Sequence, residues 1–260
     1  MTIVAAALAA YACTAERAFE ARSQTIGASE IGRCARQLYY AKNEGDPVRG
    51  ARRNPDYADQ WRGAAVRGTI FERHFWGPAL HAAYGDRLLF AGEQQQTFVQ
   101  GFLSATPDGL LVGLADDALA YLGVASLGGD RSILLECKSV HPNTRLAEPK
   151  LAHAYQLQVG LGLIRARTTH RPEFALLSYT NASDWADTRE FAIERDAAVF
   201  AVARARALKI LTATFAEALP PEGQTAGGKE CGWCPFSHAC LGAPRPSIPE
   251  SKQATVTVGE

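Results

Sequence analysis

The chain has 260 residues, 47% of them hydrophobic, with 27 basic against 27 acidic side chains and zero formal net charge. That content suffices for one sizeable core and excludes a disordered, collagen-like or histone-like polymer. It leaves a nucleic-acid enzyme open, because the local field counts for more than the summed charge.

No run of about 18 apolar residues occurs, so no transmembrane helix is expected. Met1 to Ala12 is apolar and alanine-rich, but the first arginine is Arg17. Without the basic start of an export signal, this stretch reads as a helix packed on the body, in a cytoplasmic protein. Helical periodicity covers 5–22, and 25–32 reads as a turn into a short helix, capped by Ser29 and continuing over 33–42. Gly45, Pro47, Gly50 and Pro55 make 43–57 a loop. A long helical pattern spans 60–84, interrupted near Gly77-Pro78. Strands are expected at 88–90, 96–103, 109–113 and, most clearly, 133–140, with 114–130 a hairpin excursion or loop. Residues 151–164 read as a helix, 173–179 and 189–193 as strands, and 196–219 as an amphipathic helix stopped by Pro220-Pro221. The proline-rich, small-polar stretch 243–260 reads as a disordered tail. This order predicts an α/β (α+β) single domain over 1–242, with a core of about 60–180.

Two short pieces carry the chemistry. One is Thr106-Pro107-Asp108-Gly109; the other is the apolar strand 133–140, broken by Glu136 and Lys138. Spaced by two, Glu136 and Lys138 point to one face of a strand. Burying a carboxylate and an ammonium at a strand end is costly unless a partner is bound there. A divalent metal is such a partner. Asp108 and Glu136 are hard oxygen ligands suited to Mg²⁺ or Mn²⁺, with the Cys137 carbonyl as a further oxygen. Lys138 is placed to orient a metal-activated water or to neutralise charge on a phosphate. A surface salt bridge is the plain alternative.

The six cysteines are Cys13, Cys34, Cys137, Cys231, Cys234 and Cys240. Clustered cysteines in a reducing compartment serve metal binding or catalysis more often than disulfides. Cys231, Cys234 and Cys240 form C-x2-C-x5-C, and Cys34 is the candidate fourth thiolate, 197 positions before Cys231. Spacing alone admits Zn²⁺ or an iron–sulfur cluster.

Pro107-Asp108 followed by Glu136-Cys137-Lys138 is similar to the PD-(D/E)XK nuclease superfamily. Upstream, Arg67-Gly68-Thr69-Ile70-Phe71-Glu72 resembles the motif that opens the RecB-like nuclease core. Many members have histidine where this chain has Glu72; His74 would face elsewhere on the helix. Tyr155-Gln156-Leu157-Gln158 resembles the glutamine motif of RecB-like and phage-recombination exonucleases. There the glutamine amide bonds a catalytic carboxylate and a DNA phosphate. Some relatives carry a tyrosine four positions after the glutamine, where this chain has Gly160. The distant cysteine plus C-x2-C-x5-C resembles the iron–sulfur branch, which includes AddB-type helicase-nucleases and the CRISPR-associated RecB-like exonuclease. The resemblance implies a restriction-endonuclease-like core with a central mixed sheet flanked by helices. It implies catalytic roles for Glu72, Asp108, Glu136, Lys138 and Gln156. It also implies a [4Fe–4S] cluster on Cys34, Cys231, Cys234 and Cys240, joining the two ends of the chain.

Residues 33–73 hold nine basic and five acidic side chains, interleaved with Tyr39, Tyr40, Tyr57 and Trp61. Such a segment suits a phosphate backbone and stacked bases. The expected activity is metal-dependent exonuclease cleavage of single-stranded or open-ended duplex DNA, in recombination, phage replication or CRISPR spacer acquisition. No G-x4-G-K-[ST] loop occurs, so unwinding falls to a helicase, recombination or CRISPR-adaptation partner. A structure-specific or site-specific endonuclease and a non-catalytic DNA-binding assembly subunit are the alternatives.

Overall fold

The computed structural model describes residues 3–4, 24–51, 67–221, 231–232 and 234–241. The expected helix over 5–22, Cys13, Tyr57, Trp61 and the tail 243–260 lie outside these residues.

In chain order the main elements are β1 (Ile26–Gly27), α1 (Ala35–Lys42), α2 (Gly77–Tyr84), β2 (Leu88–Leu89), β3 (Phe98–Gln100), β4 (Leu103–Ala105), β5 (Gly109–Leu111) and β6 (Ile133–Val140). They continue with α3 (Leu151–Arg167), β7 (Phe174–Asn181), β8 (Thr188–Glu194), α4 (Ala197–Thr212) and α5 (Ser237–Leu241). The main sheet runs β2-β5-β6-β7-β8 and a small one runs β1-β4-β3. Within the main sheet only β6 and β7 pair in parallel, with α3 as the crossover between them. The architecture is therefore α+β with mixed sheets flanked by helices, as the sequence predicts.

Strand alternation divides the core. Leu110, Leu134, Leu177 and Tyr179 pack toward α3 and α4. Leu111, Ile133 and Leu135 pack on the opposite face, against Trp76, Leu80 and the excursion through Leu119 and Leu127. Counting by twos from Leu110 and Leu134 puts Asp108, Glu136 and Lys138 on the α3 face. A Cβ on Gly160 would stand 2.7 Å from Leu134 Cδ2, so this glycine lets α3 lie close on β6. A tyrosine at that position has no room.

Four sequence expectations need correction. The single strand over 96–103 is a hairpin, β3 and β4, because Gly101 turns the chain at φ 57°. The interruption at Gly77-Pro78 is no break: a π-helical turn, Glu72–Trp76, carries the helix into α2. The widened turn accommodates Pro78, which has no N–H to donate. Ser29 caps nothing; Cys34 stands at the N-cap of α1 without a side-chain bond. Glu30 instead accepts from Gly27 N–H and pairs with Lys42 at 2.8 Å. The last long helix ends at Thr212 rather than 219, starting from Asp196, which accepts from Ala198 and Val199 N–H.

Candidate functional site

β5 and β6 are antiparallel, with Gly109 opposite Leu135. Asp108 therefore meets the end of β6, where its Oδ2 accepts from Cys137 N–H at 2.8 Å. In a strand ladder the N–H and C=O of one residue face the same neighbour. The Cys137 carbonyl thus faces the Asp108 edge. The Cys137 thiol lies on the other face, in hydrogen-bond contact with Ser178 and Thr180, and burial pushes it far above the ordinary thiol range. Only the backbone of Cys137 belongs to the site.

Glu136 is 4% exposed and its carboxylate is in contact with the Lys138 ammonium. Burial pushes Lys138 down, but Glu136 and Asp108 outweigh it and hold the ammonium above its usual value. Asp108 is raised well above the usual carboxyl range, first by burial and then by the charge of Glu136, with Glu72 adding to it. Lys138 and the Cys137 N–H offset only part of this. The sequence-predicted Glu72, Asp108, Glu136 and Lys138 are thus brought within electrostatic reach of one another.

Gln95 was missed by sequence reasoning. Its amide donates to Glu72 Oε1 at 3.0 Å and to Pro107 O at 3.2 Å, fastening the π-helical turn to the Pro-Asp segment. No motif announces a lone glutamine in a loop. Gln156 is 8% exposed on α3, and its amide pairs with no described residue. Gln158 is structural: it donates to Glu194 O and accepts from Asp196 N–H, both at 2.7 Å, joining β8 to α4.

A second missed feature sits beside Lys138. Tyr179 is its register partner on β7 and is 2% exposed. The Tyr179 oxygen accepts from Lys150 N–H at 3.1 Å and lies 2.7 Å from His153 Nδ1. A buried hydroxyl must place its proton, and Nδ1 is its acceptor here, which leaves the imidazole proton on Nε2. Burial, then the charges of Lys138 and Lys150, bring His153 down to about 4, so the ring is neutral at neutral pH.

The other cluster lies at the far ends of the chain. Cys34, Cys231, Cys234 and Cys240 line one cavity together with Tyr40 and Phe236. Turn bonds from Cys234 N to Cys231 O and from Cys240 N to Phe236 O shape the second half. Burial and the three neighbouring cysteines push the Cys234 thiol up to about 11. The corner is tied to the body by Arg36, which donates to Leu219 O at 2.7 Å, and by Tyr39, which donates to Thr214 O at 3.0 Å. Arg206 donates to the carbonyls of Ile31 and Arg33 just before Cys34. The four cysteines share one cavity, and their residue types are those of a tetrathiolate site. No set of three or more His, Cys, Asp or Glu side chains among the described residues stands ready to grip an ion. At the first cluster the Lys138 ammonium takes the Glu136 oxygen.

The expected stacking role of Tyr39 and Tyr40 is overturned: they are 1% and 7% exposed, part of the core beneath the cysteine corner. Tyr40 stacks on Phe236 instead, centroids 5.8 Å apart. Their spacing in an arginine-rich stretch resembled a stacking surface, but α1 turns them inward.

The fold has solved counterparts. SSO0001, known from its crystal structure, matches at TM-score 0.53 and 17% identity, over 92% of this chain and 97% of that one. An alkaline exonuclease (LHK-Exo) from Laribacter hongkongensis matches at TM-score 0.46 and 19% identity, over 82% of this chain and 95% of its own. Its complex with dAMP matches at the same TM-score, over 97% of that chain. The likeness to SSO0001 is one of fold. No family model and no curated protein matches the sequence. Among the described residues no helix is long and apolar enough to cross a membrane.

Proposed function

We propose that this chain is a metal-dependent DNA exonuclease with a four-cysteine iron–sulfur staple. The observation that carries the reading is the gathering of Glu136 and Glu72 around Asp108 at one strand end, with Lys138 against Glu136. Like charges held together in this way favour a divalent cation. Asp108, Glu136 and the Cys137 carbonyl are the ligands, an all-oxygen set suited to Mg²⁺ or Mn²⁺. A bound ion would supply a Lewis acid and a water of lowered pKa. Lys138 is placed to orient the attacking water and to neutralise charge developing on the scissile phosphate. Gln95 holds Glu72 toward the Pro-Asp segment, and Gln156 offers its amide to a phosphate or carboxylate.

For the cysteine corner, four thiolates suit zinc or iron–sulfur equally in number. The RecB-like motifs in the same chain favour [4Fe–4S] on Cys34, Cys231, Cys234 and Cys240. The resemblance extends to a setting in recombination, phage replication or CRISPR spacer acquisition.

The test uses anaerobically purified protein and linear single- or double-stranded DNA labelled at either end, with Mn²⁺ or EDTA. Metal-dependent release of mononucleotides or short fragments is expected, and it is lost in Asp108→Ala and Lys138→Ala. Uncut but bound DNA would replace the reading by a non-catalytic DNA-binding subunit. Cleavage of a covalently closed circle would replace exonuclease by endonuclease. The protein is expected to be brown; a colourless protein carrying one equivalent of zinc would overturn the cluster assignment.

A further inference from the structure

Large aromatic rings left in water usually stand alone. Here two stand together, on different elements. Phe75, 42% exposed, lies in the π-helical turn that begins with Glu72. Trp185, 56% exposed, lies in the turn between β7 and β8. Their centroids are 5.0 Å apart at 62°, and both rings pack edgewise or tilted on Phe71, which is 8% exposed. Phe71 fixes the pair from below, while the outer surfaces of both rings face solvent.

The place matters as much as the exposure. The Trp185 turn springs from the strand end that carries Tyr179, the register partner of Lys138. It is pinned to β6 by Ala182 N–H donating to Val140 O at 3.0 Å, two residues beyond Lys138. Phe75 is three residues beyond Glu72 in the π-helical turn. The pair thus stands on the two elements that carry Glu72 and the register partner of Lys138.

Cationic chemistry accompanies it. Arg145, whose side chain is 64% exposed, lies 3.7 Å from Asp187 in the Trp185 turn and is braced on Pro142 and Thr144 carbonyls. Arg73 is exposed on the π-helical turn itself. The two carboxylates of the Trp185 turn are engaged locally: Asp187 by Asn181 and Arg145, Asp184 by Ala186 N–H.

We propose that Phe75 and Trp185 form a stacking platform for the unpaired nucleobases of a single-stranded DNA end, with Arg145 and Arg73 following its phosphates. Base–aromatic stacking is indifferent to sequence, because every base has a π-face, and cations beside the rings track the backbone. This platform selects strands that are already open and sets their terminal bases beside the site. The inference deepens the nuclease reading and rests on it for the position of the scissile phosphate.

The test is equilibrium binding in EDTA, where nothing is cut. A labelled oligothymidylate is compared with an abasic oligomer of equal length and charge, on wild type, Trp185→Ala, Trp185→Phe and Phe75→Leu. Wild type is expected to prefer the base-bearing oligomer by about tenfold or more, the scale of one stacked base. Trp185→Ala and Phe75→Leu should lose most of that preference while binding the abasic oligomer as before. Trp185→Phe, which keeps a ring, should retain most of it. Equal binding of the two oligomers by wild type would overturn the proposal, as would a preference untouched in Trp185→Ala. The same oligothymidylate with Mn²⁺ separates the two claims. Base-preferring binding without cleavage overturns the nuclease and leaves the platform. Cleavage without base preference does the reverse.

Discussion

The two clusters of this molecule are built in opposite ways. The carboxylate–lysine site is carried by the sheet ladder: adjacent strands, spaced by fixed registers, place Asp108, Glu136 and Lys138. The cysteine corner joins Cys34 to a short turn and helix at 231–241, parts of the chain far apart in sequence. The first is set by the sheet and crowded with charge. The second is a buried corner of thiols, where burial and the neighbouring cysteines push Cys234 up. Removing side chains should therefore damage chemistry at the first and architecture at the second.

The largest expected effect tests that division directly. Lys138→Ala should lower cleavage by about 10²–10³-fold, the usual cost of losing one preorganised electrostatic partner, with little change in secondary structure by circular dichroism. Asp108→Asn should abolish cleavage and yet raise Tm in EDTA at neutral pH. Asp108 is raised in the folded state, so folding takes up a proton between the unfolded and folded values. Wild-type stability in EDTA then gains from this group as pH falls through that interval, and the asparagine variant lacks the gain. A variant less stable than wild type at neutral pH would break the claim that the site is charge-strained.

Cys34→Ser should do the opposite. It should bleach the protein's visible absorbance and lower Tm by roughly 10 °C, on a scale where 1 kcal/mol moves a chain of this size about 2–4 °C. Hydrogen exchange should accelerate over 234–241 while β6 stays protected. Equal acceleration in β6 would show that the two regions are one cooperative unit.

Gln95→Ala sharpens the comparison further. It cuts the link between Glu72 and Pro107, and loss of such a supporting bond typically weakens metal affinity 10–100-fold. The readout is the Mn²⁺ concentration for half-maximal cleavage, which should rise while circular dichroism stays unchanged.

The smallest effect concerns His153. Its folded value, about 4, lies below the unfolded value of about 6.5. Unfolding therefore takes up a proton between these pH values, and stability from this group is lost as pH falls from 6.5 toward 4. His153→Gln should flatten that part of the Tm profile. Asp108 acts in the opposite sense, so the comparison with the variant, rather than the wild-type slope alone, carries the result.

The sequence is legible where chemistry coincides with period. Strand 133–140 stands out because an apolar run ends in Glu136 and Lys138, and β6 occupies those residues. The cysteines announce themselves by spacing. Legibility fails where partners are set by tertiary contact. Gln95 and the Tyr179–His153 pair have no local pattern, because each bond spans more than a helical turn of sequence. Tyr39 and Tyr40 misled for the same reason: composition gives residue types, while the turn of α1 decides which way they face. The β3–β4 hairpin was missed because Gly101 lies inside a run that reads as one strand, and its positive φ is a backbone property.

Arg206 grips the carbonyls of Ile31 and Arg33, and Arg36 and Tyr39 grip the segment after α4. Arg36 also reaches the Cys240 sulfur, and Tyr40 donates to Ala239 O. The short helix after Cys34 is thus a clasp that fastens the carboxy-terminal cysteines to the body through its own side chains.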